Sequence, residues 1–320
     1  TDGGATWSAS QTLDGGNNAN DLHLTLACDG SNVVAAWQDA RHSDQQPYAN
    51  RSSDGGATWS GPERVPQSSS IQNDNAVEPH LTVRGGTAAV VYRVDKRIYL
   101  SQRPVASGSW PTEVRVDNPA ADATTLAPRV ARGTSTFITW PRDAGAFSVR
   151  FNASTDGTNL LYAADVPLDT NAGQSGDAAS TTPELAARGN AVFAAWMDAR
   201  DTQNSIYVNR SLDGGLNWFA SDRRVSLPNS IDFVPVIAAV SSGVVVAWED
   251  RAGGGPDIMM NYSTDDAQTW LTTPIKLNSG TNNASAPRIA PAGSASYVAW
   301  LDERSGSPRI YLRRLAFTSS

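Results

Sequence analysis

One eight-residue pattern recurs along this chain and constrains its fold more than any other feature. A serine, an aspartate, a glycine and a tryptophan stand at fixed offsets, as in Ser211-Leu-Asp-Gly-Gly-Leu-Asn-Trp218 and Ser52-Ser-Asp-Gly-Gly-Ala-Thr-Trp59. The chain begins inside another copy that holds Asp2 and Trp7. A copy from Ser263 to Trp270 carries Asp265 but lacks the glycine, one around Asp156 lacks the tryptophan, and one near Trp110 is eroded further. The copies end at positions 7, 59, 110, 161, 218 and 270, in steps of 52, 51, 51, 57 and 52.

Asp-Gly between strand-like runs signals a hairpin, because glycine accepts the positive φ that tight turns require. The aspartate can accept hydrogen bonds from turn amides, and the tryptophan can fold back as an apolar plug. Asp2, Asp54, Asp156, Asp213 and Asp265, with Trp7, Trp59, Trp218 and Trp270, are therefore expected to serve the fold. A second marker precedes each box by about 22 residues. It reads Ala-Trp37-Gln-Asp-Ala-Arg41, Ala-Trp196-Met-Asp-Ala-Arg200, Ala-Trp248-Glu-Asp-Arg251 and Ala-Trp300-Leu-Asp-Glu-Arg304, with weaker copies at Tyr92 and Trp140.

Six strand-rich copies at this period predict an all-β, six-bladed β-propeller of four-stranded antiparallel blades. One domain then accounts for residues 1–320. The first 13 residues supply only a turn and one strand, and Pro308-Arg-Ile-Tyr-Leu-Arg-Arg-Leu315 matches the strand that precedes a box elsewhere. Residues 1–13 are therefore expected to complete the blade formed by residues 286–315, closing the ring and protecting its edges.

The Ser-x-Asp-x-Gly-x-x-Trp pattern is the Asp-box, and over its whole length the chain resembles the Asp-box (BNR) repeat proteins of the sialidase superfamily. That resemblance implies a secreted or cell-surface protein and a site on the face opposite the boxes. A start within a box also looks like a processed or trimmed end.

The formal charge is −7 and the pI about 5.0. A nucleic-acid surface is normally basic, so that partner is disfavoured. No run of 18 apolar residues exists to span a membrane. The single Cys28 allows no internal disulfide and is expected to be a small buried hydrophobe.

The candidate site comes from comparing the first strands of the blades. Their triplets are His23-Leu-Thr, His80-Leu-Thr, Arg129-Val-Ala, Glu184-Leu-Ala, Val236-Ile-Ala and Arg288-Ile-Ala. The middle column is always branched aliphatic and the third always small, as packing demands. The first column varies and is polar in five of six blades. One reading is a charged channel mouth where Arg129 and Arg288, three blades apart, clamp a carboxylate by paired hydrogen bonds. The other is a solvated rim, or an internal arginine–glutamate pair. Arg93 and Arg142, where the marker departs from its pattern, are further ligand candidates. The regular marker Asp–Arg pairs read as scaffold. His23 and His80 lack a close third ligand, so no metal and no cofactor is expected.

Sialidases of this fold use an arginine triad, a tyrosine nucleophile with a glutamate partner, and an aspartate acid/base. Pro287-Arg288-Ile-Ala is similar to their Arg-Ile-Pro motif but has alanine in place of its proline. Glu184 is the candidate catalytic carboxylate, and Arg93 the best third arginine. No tyrosine stands out as nucleophile: Tyr48, Tyr99, Tyr207 and Tyr311 share one repeated, structural column. The leading expectation is a recognition module for an acidic glycan. The alternatives are an exo-glycosidase of sialidase type with a rearranged catalytic set, and a scaffold for a protein partner.

Overall fold

A computed structural model describes residues 8–16, 20–42, 44–72, 74–117, 124–143, 147–170, 181–201, 203–253, 255–280 and 283–316. Asp2 and Trp7 lie outside the described residues. The described residues contain no helix and form six antiparallel sheets, the blades of a six-bladed β-propeller.

Blade 4 shows the plan. Its strands are Thr181–Arg188, Ala191–Asp198, Ser205–Ser211 and Arg223–Arg224, hydrogen-bonded in that order. The second strand is buried on both faces from Ala191 to Trp196, because blades pack face to face around it. Alanine and valine dominate there since two apolar layers must fit close on either side. The fourth strand is only two residues long, which leaves little unpaired edge at the rim.

Apolar clusters join consecutive blades. Ile206 and Val208 of blade 4, for example, pack with Ile237, Val246 and Trp248 of blade 5. Similar clusters join blades 1 and 2, 2 and 3, 3 and 4, and 5 and 6. Among the described residues no such cluster joins blade 6 to blade 1. Blade 6 contributes three strands, Ala284–Ala292, Ala295–Asp302 and Arg309–Ala316.

Residues 8–13 form no strand ladder. They lie on blade 1, where Leu13 packs against Ala35, Trp37, Tyr48 and Trp59. Asn50 donates to the Leu13 carbonyl at 2.9 Å, as Asn261 of blade 5 donates to Val225 of blade 4 at 2.9 Å. Leu13 thus occupies the place held elsewhere by the residue that follows a fourth strand of the preceding blade.

The boxes form the turns that sequence predicts. In blade 4 the Ser211 hydroxyl donates to Asp213 at 2.6 Å and accepts from the Gly215 amide at 2.9 Å. Asp213 also accepts from the Asn217 amide at 2.9 Å, and the Trp218 indole donates to the Gly215 carbonyl at 3.0 Å. Blade 1 repeats this with Ser52, Asp54, Gly56, Thr58 and Trp59. Hydrogen bonds from Ser211, then Asn217, hold the Asp213 carboxyl down to about 2, and those from Thr58, then Ser52, do the same for Asp54. Gly215 has φ 93°, and a Cβ there would lie 2.7 Å from the Phe151 ring of blade 3. Trp218 meets that ring edge-on, with centroids 4.8 Å apart. The box therefore locks its blade to the one before it.

Candidate functional site

The boxes lie beside the turns between first and second strands: the Gly55 and Gly214 amides donate to Ser31 and Asn190. The first strands begin at the opposite end, and there all six converge on one cavity of about 670 Å³. Five of the six candidate triplets have their leading residue on its wall in the expected column. Blade 1 differs. Backbone pairing sets Thr25, opposite Ala36, level with His80, Glu184, Val236 and Arg288. Arg129 takes the same level in blade 3, opposite Thr139.

The offset arises from a β-bulge. The pairing register shifts just before this column in blades 1, 2, 4, 5 and 6. In blades 1, 2, 5 and 6 the bulge opens on a residue with positive φ: His23 at 50°, Glu78 at 57°, Val234 at 50° and Ala286 at 54°. A proline then precedes the column, at Pro79, Pro128, Pro183, Pro235 and Pro287. Proline suits this place because it has no amide to give the ladder. Leu24 stands there in blade 1, so His23 corresponds to Glu78 and not to His80. The bulges are pinned by the preceding blade: Gln38 accepts from the Glu78 amide at 3.1 Å, and Glu249 from the Ala286 amide at 2.8 Å.

The charged groups at the mouth are unequally occupied. Arg129 donates to Glu184 at 2.7 Å, with both side chains about a quarter exposed. Arg93 donates to Glu78 at 2.8 Å. Arg288 donates to the Pro287 carbonyl at 2.8 Å and has no ion-pair partner among the described residues. The Val130 amide donates to His80 Nδ1 at 3.2 Å, so this nitrogen must be unprotonated. Burial, then the nearby Arg129 charge, pushes His80 down to about 3, and the ring stays neutral near pH 7. His23 lines the cavity from its bulge and is exposed.

Arg142 does not join this group. It stands where Asp39, Asp198 and Asp302 stand in other blades, two residues beyond the marker aromatic, and lies 3.5 Å from buried Asp165. In the regular blades the marker aspartate accepts from the tryptophan indole, as Asp39 does from Trp37 at 3.1 Å and Asp302 from Trp300 at 3.0 Å. The following arginine bonds the same carboxylate and stacks on the third-strand tyrosine. Arg41, Arg200 and Arg304 each sit 4.1 Å from the ring centres of Tyr48, Tyr207 and Tyr311. These tyrosines are scaffold. In blades 2 and 3, where Val94 and Arg142 replace the aspartate, Tyr92 Oη and Trp140 Nε1 are buried without a hydrogen-bond partner among the described residues.

Glu78 is the mouth residue that the column comparison missed. Its signal was the Glu-Pro-His run: in blades 2, 4, 5 and 6 the proline before the column residue marks the bulge, and Glu78 stands on it. No tyrosine is among the described residues that line the cavity. Arg129 with its partner Glu184, and Arg288 without an ion-pair partner among the described residues, line the cavity and can receive an anion, with a neutral imidazole and apolar walls from Leu24, Val236 and Ile289 beside them; Arg93 holds the lining Glu78 but is not itself among the lining residues.

No protein-family model matches the chain, and no curated protein matches it by sequence. Solved structures do match. The leech intramolecular trans-sialidase is similar over 98% of this chain and 71% of its own, with 11% identity and a TM-score of 0.58. A mutant NanB sialidase of Streptococcus pneumoniae is similar over 89% of this chain and 65% of its own, with 8% identity and a TM-score of 0.57. A mutant Trypanosoma rangeli sialidase with trans-sialidase activity matches over 92% of this chain, with 12% identity and a TM-score of 0.52. This chain spans 54% of that enzyme's length. The likeness is one of architecture: this chain has the β-propeller fold of the sialidases.

Proposed function

We propose that this propeller is a recognition module for an acidic glycan, which it holds by a carboxylate at the mouth formed by its six first strands. The observation that carries the reading is Arg288. Its guanidinium stands at the wall of a sugar-sized cavity with no carboxylate among the described residues to neutralise it, in a chain whose net charge is −7. An exposed arginine fork is the natural partner for a carboxylate, which it can meet with two parallel hydrogen bonds. The Arg129–Glu184 pair and Glu78, which Arg93 holds, flank the space and offer hydrogen-bonding edges to sugar hydroxyls. A secreted or cell-surface setting goes with this reading, as does the fold shared with the leech trans-sialidase and the NanB sialidase.

Recognition fits this mouth better than sialidase-type hydrolysis, because no tyrosine is among its described lining residues. Calorimetric titration with N-acetylneuraminic acid, glucuronic acid and neutral galactose tests the proposal. Binding of an acid but not of galactose, weakened by added salt, is the expected result. No binding of either acid at millimolar concentration would overturn it and leave the mouth a solvated rim, the outcome expected of a protein-contact scaffold.

A further inference from the structure

At the outer rim, the fourth strand of blade 4 and the box of blade 5 leave a groove of about 500 Å³ between them. It shares no lining residue with the mouth. Arg223 opens that fourth strand, opposite Val208. At the same level stand Glu63, Val114, Val166 and Ile275 in blades 1, 2, 3 and 5, so Arg223 is the one cation there among the described residues. It is exposed and has no ion-pair partner among the described residues. Its guanidinium lies 5.5 Å from the centre of the Phe219 ring, and that of Arg210 lies 4.3 Å from the same ring.

Arg210 in turn donates to the Gln268 side-chain oxygen at 2.7 Å. Arginine can only donate, so the Gln268 oxygen is taken and its NH2 is left to the groove that it lines. Thr272 adds a hydroxyl to the same wall, and Arg224 stands beside it, held by Asp201 at 3.1 Å. No carboxylate is among the described lining residues. The wall is short of acceptors as well. Arg224 Nε and Trp270 Nε1 are buried without a hydrogen-bond partner among the described residues, whereas Trp59 and Trp218 donate to the Gly56 and Gly215 carbonyls.

We propose that this groove is a second binding site, for a saccharide that carries a sulfate or phosphate ester. A carboxylate offers two oxygens in one plane, which a single arginine fork satisfies. A sulfate or phosphate ester presents three terminal oxygens, and three separate donors line the groove to meet them: the Arg223 guanidinium, the Gln268 amide and the Thr272 hydroxyl. The guanidinium brings the charge, and the neutral donors bring direction. Leu271 and Trp270 give the sugar ring an apolar surface to lie against. The groove binds its ester whether or not the mouth binds an acid.

Calorimetric titration with glucose 6-phosphate, glucose 6-sulfate, glucose and inorganic phosphate tests the site in the parent, Arg223→Gln, Gln268→Glu and Arg288→Ala. One or both esters should bind the parent, inorganic phosphate more weakly, and glucose not at all. Arg223→Gln removes the charge. Gln268→Glu keeps the acceptor for Arg210 but sets a carboxylate in the groove. Each should weaken ester binding about tenfold or more, with thermal midpoints close to the parent's. Arg288→Ala should bind the ester as the parent does. No binding of either ester at millimolar concentration, or an affinity that glucose matches, overturns the site. So does ester binding that survives both groove substitutions. Loss in Arg288→Ala alone places the ester in the mouth and overturns the groove. Inorganic phosphate bound as tightly as the esters overturns the saccharide as the ligand.

Discussion

At the box end of the propeller, Ser211, Asp213, Gly215 and Trp218 of blade 4 repeat the hydrogen bonds of Ser52, Asp54, Gly56 and Trp59 in blade 1. At the mouth end, the same blades place Glu184 and Thr25 at one level, with His80, Arg129, Val236 and Arg288 completing it. A turn that must fold back on its own sheet admits one arrangement, so its residues recur. A strand end that faces open space has no such demand, and what stands there is set by something other than packing. The box end is therefore held by repeated local bonds, and the mouth is where the recognition proposed above has room to differ.

The largest effect expected from this contrast is on stability. Trp218→Ala removes the ring that meets Phe151 of blade 3 and bonds the Gly215 carbonyl. It should cost about 3 kcal/mol in a urea titration, towards the low end for a tryptophan because the ring is only partly buried. Acid binding by the molecules that stay folded should not change. A loss of binding at full stability would put the box in the site and erase the contrast.

Asp213→Ala should cost about 1–2 kcal/mol, by stranding the Asn217 amide and the Ser211 hydroxyl. Because the Asp213 carboxyl is held down to about 2, its contribution is present above the unfolded value near 4 and lost as pH falls towards 2. The parent and Asp213→Ala should therefore converge in stability as pH falls through that window. A constant gap down to pH 2 would show that the carboxylate charge is not what holds the turn.

The sequence made the box end almost wholly legible, because its four residue types each perform a local task at a fixed offset. The six-fold repeat and the all-β propeller followed from it. The mouth was legible only in part. His23-Leu-Thr and His80-Leu-Thr look alike, but the first lies two residues earlier relative to its partner strand. The bulge makes that difference, and in blade 1 Leu24 replaces the proline that marks it elsewhere. Glu78 escaped notice because it lies on the bulge, outside the compared triplet. Arg142 drew attention by breaking a pattern, yet it faces Asp165. Cys28, expected to be buried, is exposed in this structure; its cover depends on how two blades distant in sequence meet, which no local pattern encodes.

A pH-dependent effect separates the neutral imidazole from the arginines around it. His80 sits near 3 in the folded chain against an unfolded value near 6.5. The unfolded chain therefore binds the proton first, and the stability tied to this ring is present above about pH 6.5 and lost as pH falls towards 3. Asp21 and Asp232, raised by burial to about 6, give the opposite slope and are common to both proteins in the comparison. The parent-minus-variant stability difference for His80→Asn should therefore shrink as pH falls across that window in urea titrations. An identical pH profile in both would mean that the folded ring titrates normally.

The most direct test pits two mouth substitutions against each other in calorimetric titration with N-acetylneuraminic or glucuronic acid. Arg288→Ala deletes the unpaired guanidinium and should weaken binding by about 1.5–3 kcal/mol, the range for a hydrogen bond to a charged group. Glu184→Gln removes the carboxylate that occupies Arg129 and should strengthen binding, because a second guanidinium becomes free for the ligand. Opposite shifts, with thermal midpoints close to the parent's, are the result this account predicts. Unchanged affinity in both variants, or a weakening in Glu184→Gln equal to that in Arg288→Ala, would contradict a carboxylate held at the mouth.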